Sequence, residues 1–406
     1  MTKLSGANPI RSKRQNGRYI REIIYRYGPI SRSQIAEMLS LTPATITMSV
    51  SEMLAQGVVY ELAATDNGRE EGHLGRKPVD ISFITEAAAF LGVEITPDTI
   101  YTCLTDLSGT VLASSVTANT DYTYERVLEL TADRIKAILA EHGDTPPLMG
   151  IGVGIPGFIE GGKGEVRSQR RFHWKNKPLA EDLSRLTGYP VHIDNNVRAR
   201  VIREGLSRRV PNPETLAYFF VSKGIACQMM LHNTLVSGQT TGAGEVGHMI
   251  VELDGPKCQS CGNYGCLEAF ASETTLRARC AQAIAEGGTI LAETAADFSR
   301  PTLDEIFAAA ASGDEAVNGI LRTAFRYLAI ALANIINFMS PQLVIVDARI
   351  LHTKRDRSYF LEQVKLNLYD LNSVEAKIEF KEYDQFGGAK ASAAMAVKEF
   401  FLNADS

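Results

Sequence analysis

Between residues 20 and 60 the apolar positions recur with helical spacing, broken twice by turn residues. Ile20, Ile23, Ile24 and Tyr27 fall at i, i+3, i+4 and i+7, a stripe that stops at Gly28-Pro29. A second helix is predicted from Ser31, because Ser31 and Gln34 have capping-box spacing; Ile35, Ala36, Met38 and Leu39 are expected to face inward. Thr42-Pro43 supplies an N-cap and a first-turn proline for a third helix, lined by Ile46, Val50, Met53 and Leu54 and ending at Gly57. The period then shortens to that of strands at 58–62 and 79–82, around a polar, Gly-rich tip.

Three helices and a hairpin in this order follow the winged helix-turn-helix plan, which predicts a DNA-binding domain over residues 1–82 with the third helix in the major groove. Ala44, Thr45, Thr47, Met48 and Ser49 are the expected outward positions at the start of that helix. Such side chains can touch phosphates, base edges and thymine methyls, but no Arg or Asn there offers a bidentate base contact. The candidate DNA contacts are Arg32, Pro43, Ala44, Thr45, Thr47 and Ser49, with Arg76 in the tip. Arg76 suits a minor groove as well as it suits a solvated hairpin charge.

From residue 87 strands and helices alternate. Strands at 90–95, 99–104 and 111–116 form a meander, followed by a helix at 124–142 and an apolar strand at 149–155 that runs into Gly152-x-Gly154-x-Pro156-Gly157. That Gly spacing reads as a tight backbone turn at the carboxyl end of a strand, where α/β proteins bind ligands. A second round has strands at 191–194, 217–221 and 226–231, a helix near 199–206, a long Ala-rich helix at 316–337, and late strands at 343–346 and 378–380. The expectation is an α/β domain over 87–406 made of two similar lobes with a cleft between them.

Composition alters this picture little. The chain has 406 residues, 45% hydrophobic and 22% charged, which is ordinary globular material. An N-terminal apolar signal region is lacking and no stretch approaches 18 uninterrupted apolar residues, so neither a signal peptide nor a membrane span is expected, and a cytoplasmic location is. Charge is more informative. Residues 1–60 hold eight basic side chains against three acidic ones, a surplus of five positive charges, in a chain whose net charge is -5. A basic block on an acidic body is the footprint of a nucleic-acid-binding module; a solvated basic face would look alike, and the helix pattern decides between them.

Candidate chemistry concentrates in residues 245–268, EVGHMIVELDGPKCQSCGNYGCLE. His248, Cys258, Cys261 and Cys266 make a four-ligand set of the kind a structural Zn2+ prefers, and three clustered cysteines seldom arise as mere buried thiols. Cys103, Cys227 and Cys280 read as buried thiols in a reducing compartment.

Taken together, the helix-turn-helix pattern, GVGIPGFI at 152–159, Trp174 with Pro178-Leu179, HIDNN at 192–196, EVGH at 245–248 and CLE ending at Glu268 resemble the ROK family of repressors, open reading frames and sugar kinases. The resemblance covers most of the chain and is nearest to the branch of xylose- and N-acetylglucosamine-responsive repressors. It implies an actin-like, two-lobed sugar-kinase fold behind the winged domain. It also implies a sugar site: Glu245 and Glu268 as acceptors of hydroxyl protons, His248 with one ring nitrogen on zinc and the other on a sugar hydroxyl, and Asn195 as a further contact. On the residues alone, the two glutamates could be surface carboxylates and Asn195 a helix cap.

The departures from the kinase members carry as much weight. The resemblance places the kinases' catalytic aspartate at position 196, which is Asn196 here, and an amide cannot act as general base. Their first phosphate loop corresponds to Glu94-Ile-Thr96-Pro97-Asp98, where Pro97 lacks an N–H and Asp98 repels phosphate; the second reads Ser222-Lys223-Gly224-Ile225-Ala226-Cys227; a late Gly-Gly is Asp347-Ala348. ATP phosphotransfer is therefore not expected. The family's Cys-x-Cys is one residue longer here, Cys258-Gln-Ser-Cys261, and Arg170 or Arg171 stands where many kinases have a sugar-contacting Asn. The resulting expectation is a non-enzymatic, sugar-responsive repressor acting as a homodimer or tetramer on a double-stranded DNA operator, with a monosaccharide or sugar phosphate as effector and no membrane partner. The alternatives are an active sugar kinase with an added DNA-binding domain, and a DNA-binding protein whose body is only an oligomerisation scaffold.

Overall fold

The computed structural model describes residues 9–63, 79–143, 146–207, 214–232, 234–238, 242–369 and 376–404. The chain divides into two compact units, one of residues 1–211 and 386–406, the other of residues 212–385.

The first unit begins with α1 (Pro9–Tyr27), the two-residue β1 (Ile30–Ser31), α2 (Arg32–Leu39) and α3 (Pro43–Ala55), then β2 (Val59–Ala63) and β3 (Val79–Phe83) in one antiparallel sheet of order β1-β3-β2. The caps sit where the sequence places them. Ser31 and Gln34 close the capping box of α2, and the Thr42 hydroxyl accepts from the Thr45 N–H with Pro43 at the first position of α3. Ile20, Ile24, Ile35, Ile46 and Val50 are fully buried or nearly so. Met38, expected to face inward, is 47% exposed: α2 has only two turns and packs along a narrow stripe centred on Ile35.

Next come β4 (Ala89–Ile95), β5 (Thr99–Asp106), β6 (Val111–Ala118), α4 (Tyr124–Glu141) and β7 (Leu148–Ile155). A small antiparallel sheet, β8 (Phe158–Glu160), β9 (Glu165–Gln169) and β10 (Trp174–Lys177), then leads through α5 (Leu179–Thr187) to β11 (Val191–Asn195) and α6 (Asn196–Ser207). The main sheet has order β11-β7-β4-β5-β6, parallel among β11, β7 and β4 and antiparallel through β5 and β6. All seven residues of β4 are buried, as expected of a central strand covered on both faces, and the buried set includes one charged residue, Glu94.

The second unit repeats that order. It contains β12 (Thr215–Val221), β13 (Ile225–Leu231), β14 (Thr234–Leu235), α7 (Glu268–Ala271), α8 (Glu273–Glu286), α9 (Leu291–Thr294), α10 (Leu303–Ala311), α11 (Glu315–Met339), β15 (Leu343–Ala348), α12 (Lys354–Leu366) and β16 (Lys377–Phe380). Its sheet runs β14-β13-β12-β15-β16, again a meander joined to parallel strands, so the predicted repetition of one strand-and-helix plan is present. By length and composition α11 is apolar enough to cross a bilayer, but the core of this unit takes up its apolar face, including Leu321, Phe325, Leu328 and Leu332.

The chain finally returns to the first unit as α13 (Gly387–Val397), which lies on β4 and β7. Here the glycine reading needs correction. Gly152 and Gly154 lie inside β7 rather than in a turn, and a Cβ on Gly152 would come within 1.9 Å of the Ser392 carbonyl oxygen of α13. Helix-on-sheet packing demands them. The turn begins only after Pro156, at Gly157 with φ +118.

Candidate functional site

In the second unit, residues 244–248 are pressed onto β13. The Cys227 N–H donates to the Gly244 carbonyl at 2.8 Å, and a Cβ on Gly247 would lie 2.5 Å from the Ile225 carbonyl oxygen. Only backbone fits there, which fixes the short turn Val246–His248 and presents Glu245 and His248 from either end of it. Two isolated bridges, Ile250 with Cys266 and Lys257 with Tyr264, fold the following loop back on itself. The Cys258 N–H donates to the Asn263 carbonyl at 2.7 Å and the Gly262 N–H to that of Cys258 at 2.9 Å, forming a knuckle.

This folding gathers the four candidate ligands. The ligand atoms of His248, Cys258, Cys261 and Cys266 lie within 4.8 Å of one another, with Cys258 Sγ 3.8 Å from His248 Nδ1 and Cys261 Sγ 3.5 Å from Cys266 Sγ. A tetrahedral zinc with Zn–S near 2.3 Å and Zn–N near 2.0 Å separates its ligand atoms by roughly 3.5–3.8 Å, so the donor set and the spacing both fit such an ion. Burial pushes the Cys266 thiol up to about 12 and the Cys258 thiol in the same direction, and a cation is what would bring such grouped thiols to the thiolate form at neutral pH. The remaining cysteines, Cys103, Cys227 and Cys280, are buried thiols as expected.

Glu268 opens α7, two residues after Cys266, and is buried. Its Oε1 accepts a hydrogen bond from the Ser260 hydroxyl, and its Oε2 faces Gly224, where a Cβ would stand 3.1 Å away. Glu245 feels this neighbour: burial, with the charge of Glu268 second, pushes its carboxyl up to about 7. A carboxyl whose folded-state pKa exceeds its unfolded one is stabilising while protonated. Wild-type stability should therefore fall relative to Glu245→Gln as pH rises from about 5 to 8, read as a shift of the urea midpoint; parallel midpoints across that range would contradict the shift.

The first unit holds the remaining predicted contact, Asn195, at the junction of β11 and α6. Its Oδ1 accepts from the Val197 N–H at 2.9 Å and the Arg198 N–H at 3.4 Å, while its amide donates to the Gly157 carbonyl at 3.1 Å. Asn195 thus caps α6, and its orientation is fixed. Beside it stands an arrangement that only the fold reveals. Asn196 Nδ2 donates to Glu94 Oε1 at 3.1 Å, and Arg200, one turn further along α6, grips both oxygens of Glu94 at 2.7 and 3.2 Å. Two residues seen in the sequence as separate departures from the kinases are joined as one buried network. Arg200 went unnoticed, although its i+4 spacing from Asn196 put it on the same helical face.

The candidate DNA contacts divide. Pro43, Ala44 and Thr47 are exposed at the start of α3 and Thr45 is half-buried, its hydroxyl 2.9 Å from that of Thr42. Ser49 contradicts the outward expectation: it is only 8% exposed, because it lies three residues from Ile46 and four from Met53 on the buried stripe. Arg32 is half-buried and donates to Glu61 at 2.7 Å. Arg76 lies outside the described residues.

Comparison with known proteins bears on this geometry. The model of the ROK family matches residues 90–399. The chain is 27% identical over 378 residues to a xylose repressor of Bacillus subtilis, covering 93% of this chain and 90% of that protein. It is 26% identical over 341 residues to the DNA-binding transcriptional dual regulator NagC of Escherichia coli, with 83% and 81% covered. Among solved structures, a ROK family transcriptional regulator described as a homolog of the E. coli MLC protein superposes with a TM-score of 0.80 at 24% identity, over 96% of this chain and 98% of that one. A ROK family glucokinase from Streptomyces griseus in complex with glucose and AMPPNP gives 0.64 at 22% identity, over 76% and 98%.

Proposed function

We propose that this chain, which belongs to the ROK family, is a sugar-responsive DNA-binding transcriptional regulator that represses carbohydrate-metabolism genes and is not an enzyme. One observation carries the reading. At the position the resemblance assigns to the kinase base stands Asn196, hydrogen-bonded to Glu94 and roofed by Arg200, whereas the hydroxyl-accepting residues Glu245, His248 and Glu268 are kept. Proton abstraction needs a carboxylate or imidazole at the reacting hydroxyl, and phosphoryl transfer needs a cradle of N–H groups; an internal ion pair supplies neither. Recognition is left without transfer.

In this reading residues 1–82 form the winged helix-turn-helix domain and residues 87–406 the sugar-binding and oligomerisation domain. Pro43, Ala44, Thr45 and Thr47, with the exposed Met48, meet the operator, and small contacts of this kind give modest base discrimination. One such head reads a half-site, so a homodimer or a tetramer with two-fold pairing is assigned, working in the cytoplasm. His248, Cys258, Cys261 and Cys266 would hold a structural zinc, whose contribution is to fix the knuckle; His248 keeps its other ring nitrogen for a ligand hydroxyl. Glu245 and Glu268 accept hydroxyl protons and Asn195 adds a contact from the capped end of α6.

The test has two arms. Nuclease footprinting near its own gene should give a protected site that weakens steeply with salt, as phosphate contacts require. Thermal shift against D-xylose, D-glucose, N-acetylglucosamine and glucose 6-phosphate should give a hit that Glu245→Ala abolishes, because a buried hydroxyl left without its acceptor costs about 1–3 kcal/mol or more. A hit that survives the substitution moves the site elsewhere; ATP-dependent turnover of the sugar overturns the non-enzymatic assignment.

A further inference from the structure

We propose that the seam between α4 and the β5–β6 pair is an internal hydration site of the first unit, in which ordered water bridges the helix to the sheet through Thr102, Ser115, Asn119 and Thr131. The hydroxyls of Thr102, Ser115 and Thr131 and both polar atoms of the Asn119 amide are buried without a hydrogen-bond partner among the described residues. Thr102 and Thr131 are wholly buried, and Asn119 is 2% exposed. Of the nine side-chain atoms in this condition among the described residues, five lie on these four residues, so the shortage of partners belongs to one place in the fold.

The strand register puts them on one face. Gly92 of β4 lies against α13 and pairs with Cys103 of β5, so the residues on either side of Cys103 face away from α13. On that second face Ile100 and Leu104 share a core cluster with Val127, Leu128 and Ile135 of α4, which places Thr102 between them under the helix. Ser115 stands opposite Thr102 in register, and Asn119, one residue past β6 and two strand periods from Ser115, ends the row. Thr131 lies three residues from Leu128 and four from Ile135, on the buried stripe of α4. Hydroxyls and a carboxamide each donate and accept, and with no charged group among them they suit a neutral hydrogen-bonding molecule as small as water. Five such atoms left dry would forfeit free energy comparable with the net stability of a whole domain, so close packing alone does not account for the seam.

Thr102→Val and Thr131→Val, alone and combined, test this on the full chain, because valine keeps the shape of the side chain and removes its hydroxyl. Each single substitution should lower the melting temperature by about 2–4 °C, since a bridging water loses one partner and holds the other less well. The combined variant should lose clearly less than the two singles added together, as expected when both hydroxyls hold the same water. A rise in melting temperature, or no change, overturns the inference, because it would reveal hydroxyls with no partner to lose. Fully additive losses overturn the bridge from helix to sheet. Magnetic relaxation dispersion of the solvent supplies a readout that a purely structural role would not move: the wild type should hold more long-lived internal water than the combined variant, and equal amounts overturn the hydration site.

Discussion

Stripping the metal from the His248, Cys258, Cys261 and Cys266 cluster is expected to lower the melting temperature of the protein by about 10 °C. An ion held at a thousand times its dissociation constant stabilises the folded state by about 4 kcal/mol, and for a domain of about 150–250 residues each kcal/mol moves the midpoint by roughly 2–4 °C. The knuckle has little else to hold it. Among the described residues it is folded by two isolated bridges and a few backbone hydrogen bonds, and Leu253, Ile250 and Tyr264 around it are 85%, 58% and 60% exposed. Cys261→Ser should reproduce the loss, since a hydroxyl is a far poorer zinc ligand than a thiolate. On the proposed assignment, in which the cluster braces Glu245 and Glu268 as the sugar-binding wall, sugar binding should disappear along with the ion, while the salt-dependent DNA footprint persists in the absence of sugar. Calorimetry with and without a chelator, alongside metal analysis, measures it. A melting temperature indifferent to both treatments would show that the four side chains hold no structural ion.

Arg200→Ala is expected to cost about 3–5 kcal/mol of stability, the penalty for leaving one member of a buried ion pair alone. Glu94 is 4% exposed, and no other cation is within ion-pair distance of its carboxylate among the described residues. Among the described residues Asn196 would be left as the one hydrogen-bond donor to that carboxylate. The double substitution Glu94→Gln with Arg200→Met should recover most of the loss, because removing both charges removes the desolvation penalty as well. Equilibrium urea unfolding of the three proteins decides the matter. A loss below about 1 kcal/mol for Arg200→Ala would mean that water reaches the carboxylate and that the pair behaves as an exposed one.

Legibility in the sequence followed the physics of each segment. The caps at Ser31 and Thr42 were readable because a side chain that closes a helix end is local chemistry, and the cysteine cluster because its ligands lie within nineteen residues of one another. The strands of both meanders and the long α11 were readable from period and apolar content. Other elements left no such signal. α13 reads GGAKASAAMAV, small residues on every face, since eight of its eleven residues are buried against strands that themselves have glycine at the contact; without a polar stripe there is no helical period to detect. α5, α8, α10 and α12 pass for loop when attention is on motifs, although Thr302 and Thr353 close capping boxes that announce two of them. At the site, Glu94 and Asn196 were visible only as individual oddities, because nothing in a linear chain says that residues 102 positions apart share a hydrogen bond. Ser49 was not legible for a simpler reason: a polar side chain on a short helix is usually exposed, and this one is buried.

The return of the last segment to the first unit sets an order of events during synthesis. β4 and β7 lie bare until α13 is available, and α13 follows the whole of the second unit in chain order. The first lobe therefore cannot be completed co-translationally, whereas the second, which is continuous from residue 212 to 385, can be. Since Arg21 of α1 donates to the Ala404 carbonyl and Phe83 meets Phe401 edge-on at 5.1 Å, the N-terminal helices also gain part of their support from residues made after the second unit. A chain stopped before residue 386 would thus lack both the helix that closes the sheet of its first unit and the residues that Arg21 and Phe83 meet, so a break far from the N-terminal helices would still loosen them.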